Sequence, residues 1–128
     1  MRIEHVCINA IDIEKMKEFY IKYFGFTSNE KYTNTKTGWC NYFLSHSEMD
    51  ARLELLSHED MGRDEKNRTR GGLVHIAFSL GSKEAVDETT VRLQSDGYKV
   101  ISGPRTTGDG YYESAILDPE ENILELTV

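Results

Sequence analysis

A histidine in a short alternating strand occurs twice in this chain, and each time a glutamate in an apolar strand follows at almost the same distance. Ile3-Glu4-His5-Val6-Cys7-Ile8-Asn9-Ala10 opens the chain, and Leu73-Val74-His75-Ile76-Ala77-Phe78-Ser79-Leu80 restarts its pattern. Glu54, within Arg52-Leu53-Glu54-Leu55-Leu56, follows His5 by forty-nine residues; Glu125, within Ile123-Leu124-Glu125-Leu126-Thr127, follows His75 by fifty. Internal repetition at this period outranks any single motif as evidence of architecture, because each copy is one supersecondary unit. A chain of 128 residues is the size of one domain. The repeat therefore predicts a single domain built from module 1, about residues 1–60, and module 2, about residues 72–128.

Several function classes are disfavoured at once. A net charge of −7 argues against nucleic acid, whose phosphates demand a basic face. No apolar run approaches the eighteen or so residues of a membrane span, and the start lacks a basic, then apolar, secretory pattern. Both point to a soluble, cytoplasmic protein with no membrane partner. Two widely spaced cysteines, Cys7 and Cys40, suit reduced thiols better than a disulfide framework or a zinc knuckle.

The periodicities give an α+β fold. Ile3–Asn9 alternates, with His5, Cys7 and Asn9 on one face. Asp12 is an N-cap for a helix carrying Ile13, Met16, Phe19, Tyr20, Tyr23 and Phe24, which Gly25 stops. Strands are expected at Trp39–Leu44 and Ala51–Leu56, with a short extra one around Ser28–Tyr32. His58–Gly72 reads as a connector. The second module repeats the order: the His75 strand, a helix capped by Ser82 and closed at Gly97, then strands at Tyr98–Ser102, Tyr111–Leu117 and Asn122–Val128, with Gly103-Pro104 and Thr106–Gly110 as turn.

Alternation also separates function from packing. Arg52, Glu54 and Leu56 oppose Leu53 and Leu55; Ile123, Glu125 and Thr127 oppose Leu124, Leu126 and Val128. The aliphatic faces suit a helix. If the two mixed faces meet, His5, Glu54, His75 and Glu125 converge as two imidazoles and two carboxylates. That set suits one divalent ion: nickel, cobalt, zinc, manganese or iron. A single strand histidine is more often not a ligand, but two unpaired carboxylates at matching offsets from two matching histidines need a shared reason. Arg105, Thr106, Tyr111 and Tyr112 flank the glycine-rich turn and are candidates for substrate contact. His46 and His58 read as solvated loop residues, and no nucleophile with a paired base is evident.

The ordered set of His5, Ile11-Asp12, Phe19-Tyr20, Gly25, Glu54 in Leu-Glu-Leu, His75 in His-Ile-Ala-Phe, Asp118-Pro119 and Glu125 in Ile-Leu-Glu-Leu resembles the vicinal oxygen chelate superfamily, and within it glyoxalase I. The resemblance implies paired βαβββ modules whose curved mixed sheets form a half-barrel around a metal-binding cleft. It further implies His5, Glu54, His75 and Glu125 as metal ligands, Glu125 and Glu54 as catalytic bases, and a homodimer. The activity implied is isomerisation of an aldehyde-thiol hemithioacetal with a thiol cosubstrate. The bacterial glutathione-using enzymes carry arginine where this chain has Asn9 and asparagine where it has His58, so the thiol stays open. A dioxygenase of the same fold and a metal-free small-molecule-binding or resistance protein are the alternatives.

Overall fold

The computed structural model describes residues 1–62, 69 and 71–128; part of the expected connector at His58–Gly72 lies outside them. Two compact units, Met1–Glu65 and Lys66–Val128, each carry one helix and one mixed sheet. The first holds β1 (His5–Asn9), α1 (Ile13–Phe24), β2 (Thr27–Ser28), β3 (Tyr32–Thr33), β4 (Cys40–Ser45) and β5 (Arg52–Ser57). The second holds β6 (His75–Ser79), α2 (Lys83–Ser95), β7 (Val100–Thr106), β8 (Tyr112–Leu117) and β9 (Ile123–Thr127). Strand order is β1-β5-β4-β2, with β3 also on β4, in one sheet and β6-β9-β8-β7 in the other. In both, the first strand runs parallel to the last and the remaining pairs are antiparallel.

The helices form where capping and periodicity place them. The Asp12 carboxylate accepts the Lys15 N–H at 3.0 Å, Ile13, Met16, Phe19, Tyr20 and Tyr23 are buried, and Gly25 at φ 68 ends α1. The Ser82 hydroxyl accepts the Ala85 N–H at 3.1 Å, and Val86, Thr90 and Leu93 form the buried face of α2. α1 packs on β5 and α2 on β9. Leu53, Leu55, Leu124 and Leu126 are at most 3% exposed there, so truncating any one to alanine costs about 2–5 kcal/mol.

A buried hydroxyl pair fixes α2. Thr90 Oγ1 donates to the Val86 carbonyl at 2.6 Å, which leaves it to accept from Ser114 Oγ on β8 at 2.6 Å. In the first unit the place of Ser114 belongs to Tyr42: Tyr42 faces Leu55 and Ser114 faces Leu126. The Tyr42 phenol donates to Glu14 on α1 at 3.0 Å, and Lys17 lies 4.3 Å from the Tyr42 ring centre.

Three expectations change. The single short strand around Ser28–Tyr32 is two strands, β2 and β3; between them Asn29 keeps contact with β4 by accepting the Phe43 N–H at 2.7 Å. Gly103-Pro104 is not turn but lies inside β7, where an edge position removes no ladder bond. A Cβ on Gly103 (φ 76) would collide with the Glu113 carbonyl oxygen. His46 and His58 are half-buried rather than fully solvated. His58 donates through Nε2 to the Thr37 carbonyl at 2.9 Å and packs on Trp39, while His46 packs on Phe26; both fasten loops.

Candidate metal centre

Cross-strand pairing sets which side chains share a face. In the first unit His5 pairs with Arg52, Cys7 with Glu54, and Glu54 in turn with Phe43. In the second His75 pairs with Ile123, Ala77 with Glu125, and Glu125 with Ala115. Histidine and glutamate therefore occupy the same two positions of the same ladder in each unit, on the face away from the helix. The burial pattern of β1 and β6 is the same residue for residue.

The pairs have the same geometry. His5 Nε2 lies 3.5 Å from Glu54 Oε2, and His75 Nε2 lies 3.7 Å from Glu125 Oε2. Such separations are long for a direct hydrogen bond. Two donors bound side by side to one ion at about 2.1 Å stand about 3.0–3.5 Å apart; the first pair stands at the upper end of that spacing and the second, at 3.7 Å, just beyond it. Among the described residues no group of three or more His, Cys, Asp or Glu side chains is assembled; each unit offers two donors.

Behind the first pair stands a set of polar partners. Asn41 Nδ2 donates to Glu54 Oε1 at 2.6 Å, and the Cys7 thiol is also hydrogen-bonded to Glu54. Desolvation, then the Glu54 charge, pushes that thiol up to about 11, although the residue reaches solvent. It stays protonated and is a poor nucleophile. On the other side His5 Nδ1 meets Glu4 Oε2 at 2.5 Å, and Arg52 holds the same carboxylate through NH2 at 2.5 Å and Nε at 2.8 Å. The hydrogen bond from His5, then that from Arg52, lowers the Glu4 carboxyl below its usual range. Phe43 packs edge-on to His5 at 5.6 Å and lies 4.1 Å below the Arg52 guanidinium.

Among the described residues the second pair has no such support. The positions of Glu4, Arg52, Cys7 and Asn41 are filled by Val74, Ile123, Ala77 and Glu113. Among the described residues nothing donates a hydrogen bond to the Glu125 carboxylate.

Of the four residues expected to contact substrate, the structure brings only Arg105 to the face of His75 and Glu125. β7 carries register shifts on both sides of Ser102, and the second, spanning Gly103-Pro104, pairs Arg105 with Glu113. A bulge re-aims a side chain in this way. Arg105 Nε donates to Ser102 Oγ at 3.2 Å, and its NH2 lies 3.8 Å from Glu113. Thr106 pairs with Tyr112 on the helix face, where the Tyr112 phenol donates to Asp87 of α2 at 2.7 Å. Tyr111 is exposed in the turn before β8. The sequence reading missed Glu4, Asn41 and Glu113. Glu4 escaped because strict alternation sends it to the opposite face from His5; it lies just before β1 begins and is not bound by that rule. An acidic neighbour of a candidate ligand, with an arginine across the ladder, was the available signal.

The sequence matches the Glyoxalase/Bleomycin resistance protein/Dioxygenase superfamily over residues 2–126. The chain belongs to this superfamily. A relative from Bacillus subtilis (strain 168), the uncharacterized protein YqjT, is 27% identical over 97% of this chain and 96% of its own length. Among solved structures, a glyoxalase family protein from Enterococcus faecalis is similar with a TM-score of 0.81 at 23% identity, over 99% of this chain and 97% of that one. The trypanothione-dependent glyoxalase I of Leishmania major is similar with a TM-score of 0.79 at 19% identity, over 99% of this chain and 86% of that one. At these identities the structural likeness shows the fold alone. No helix among the described residues is long and apolar enough to cross a membrane.

Proposed function

We propose that this superfamily member is a divalent-metal-dependent lyase of the glyoxalase I type, isomerising the hemithioacetal of methylglyoxal and a thiol. The observation that carries the reading is the repeated His–Glu pair, at 3.5 and 3.7 Å in equivalent ladders. Its donors fit the ion: two imidazoles and two carboxylates bring a formal −2 that a divalent cation neutralises. His5, Glu54, His75 and Glu125 would hold it, and a bound ion would supply Lewis-acid stabilisation of the developing substrate oxyanion.

The remaining work belongs to the chain. Hemithioacetal and product thioester are isomers, so the protein has to take a proton from the carbon bearing sulfur and return one to the neighbouring carbon. Glu125 is the base in this reading, since no hydrogen bond among the described residues restrains its carboxylate, and Glu54, held by Asn41, is the fixed ligand. Arg105 sits on the same face as Glu125 and is the cation for an anionic part of the thiol. The edge strands β1 and β6 favour a homodimer, because an unpaired edge seeks a partner.

The test is isomerisation of methylglyoxal adducts with a panel of thiols by protein loaded in turn with nickel, cobalt, zinc, manganese and iron. Thioester formation with at least one thiol, abolished by chelation, is expected. Failure with every adduct, together with oxygen uptake on a catechol, would replace the reading with a dioxygenase. Mixing inactive His5→Ala and His75→Ala chains tests the dimer: regained activity is expected if sites are shared between exchanging subunits.

A further inference from the structure

The first unit's histidine is held by a carboxylate that no part of the proposed reaction uses. We propose that Glu4, braced by Arg52, is a positioning residue that binds the proton side of His5 at Nδ1 and so leaves Nε2 as the lone pair facing Glu54. The inference rests on the metal reading and deepens it.

The geometry carries it. A neutral imidazole holds one proton, and the nitrogen next to a carboxylate keeps it. Glu4 Oε2 is 2.5 Å from Nδ1, whereas Glu54 Oε2 is 3.5 Å from Nε2. The proton therefore resides on Nδ1, and Nε2 is the nitrogen free to bind a cation. Glu4 cannot turn away easily, because Arg52 holds its other oxygen at two points, 2.5 and 2.8 Å. Arg52 is itself stationed by its backbone N–H on the Glu4 carbonyl at 2.9 Å and by its packing over Phe43. Ligand histidines supported by a carboxylate in this way owe about 10–100-fold of metal affinity to it. His75 has Val74 in the corresponding place and serves as an internal control.

Two readouts test the proposal. The first needs no metal. Long-range proton–nitrogen NMR on histidine-labelled, metal-free protein at about pH 8, above the ordinary imidazole range, identifies the tautomer. His5 is expected with its proton on Nδ1 in the wild type and to shift toward Nε2–H in Glu4→Ala, while His75 is unchanged. The second is Co(II) affinity by competition with a coloured chelator, where Glu4→Ala is expected to bind about 10–100-fold more weakly and Glu4→Gln, which keeps an acceptor, less so. Arg52→Met should move both readouts the same way by a smaller amount. Wild-type His5 found with its proton on Nε2, or Glu4→Ala binding Co(II) as tightly as the wild type, would overturn this inference alone. Wild type that takes up no Co(II) would overturn it together with the proposed function.

Discussion

Glu54 and Glu125 occupy the same place in two equivalent ladders, yet Glu54 stands opposite Cys7 and Phe43 while Glu125 stands opposite Ala77 and Ala115. One carboxylate accepts from Asn41 at 2.6 Å; the other, with Glu113 in the place of Asn41, has no donor among the described residues. The histidines repeat the contrast, His5 backed by Glu4 and Arg52, His75 by Val74 and Ile123. Both units carry a His–Glu pair, and under the proposed function the surroundings would divide the labour between a braced half and an unbraced one. A site that binds an ion and also moves a proton needs both properties, since a fixed ligand is a poor shuttle and a loose one a poor anchor.

The largest effect should come from exchanging the two glutamates' fates. Glu125→Gln is expected to lower turnover about 10²-fold or more, the usual worth of a general base, while the protein stays folded and holds metal. Glu54→Gln should instead weaken metal binding. Equal losses of metal in both variants, measured by metal analysis after gel filtration, would break the proposed division of labour.

The units also seat their helices differently, which gives a second contrast. Thr90→Ala leaves the buried Ser114 hydroxyl without a partner and should destabilise by about 1–3 kcal/mol, with no dependence on acid. The α1 clamp is ionic. Lys17 first, then Lys31 and Tyr42, hold the Glu14 carboxyl down to about 2 from 4.5. Because its folded value is depressed, the contribution of Glu14 is complete above about 4.5 and disappears as pH falls toward about 2. Denaturant melts of wild type and Glu14→Gln should converge as pH is lowered through that window; a constant difference would contradict the ionic clamp.

A graft sharpens the comparison with a smaller expected gain. Val74→Glu with Ile123→Arg copies the Glu4–Arg52 brace behind His75 and should tighten Co(II) binding by up to about tenfold. A weaker site would mean that the looseness of the second half serves affinity, contrary to the account.

Much of this was legible in the sequence because the strands alternate cleanly. The Leu-Glu-Leu strands, the caps at Asp12 and Ser82 and the recurrence of His5 and His75 gave the modules, the helix-facing leucines and the four candidate ligands. Local irregularity hid the rest. Period-two reasoning fails where a strand has not begun, as at Glu4, and where it bulges, as at Gly103-Pro104, which is why Arg105 joined the ligand face while Thr106 and Tyr112 turned to the helix side. The bond between Asn41 and Glu54 spans two strands, and no local pattern announces it.

The proposed function requires His5, Glu54, His75 and Glu125 to serve one metal ion, and Co(II) titration of metal-free protein, followed by visible absorption and metal analysis, tests it most directly. The account predicts tight uptake in the wild type that is lost in His5→Ala and in His75→Ala alike, since each removes one donor of the same set. Uptake insensitive to either substitution, or dependent on His5 but indifferent to His75, would contradict it.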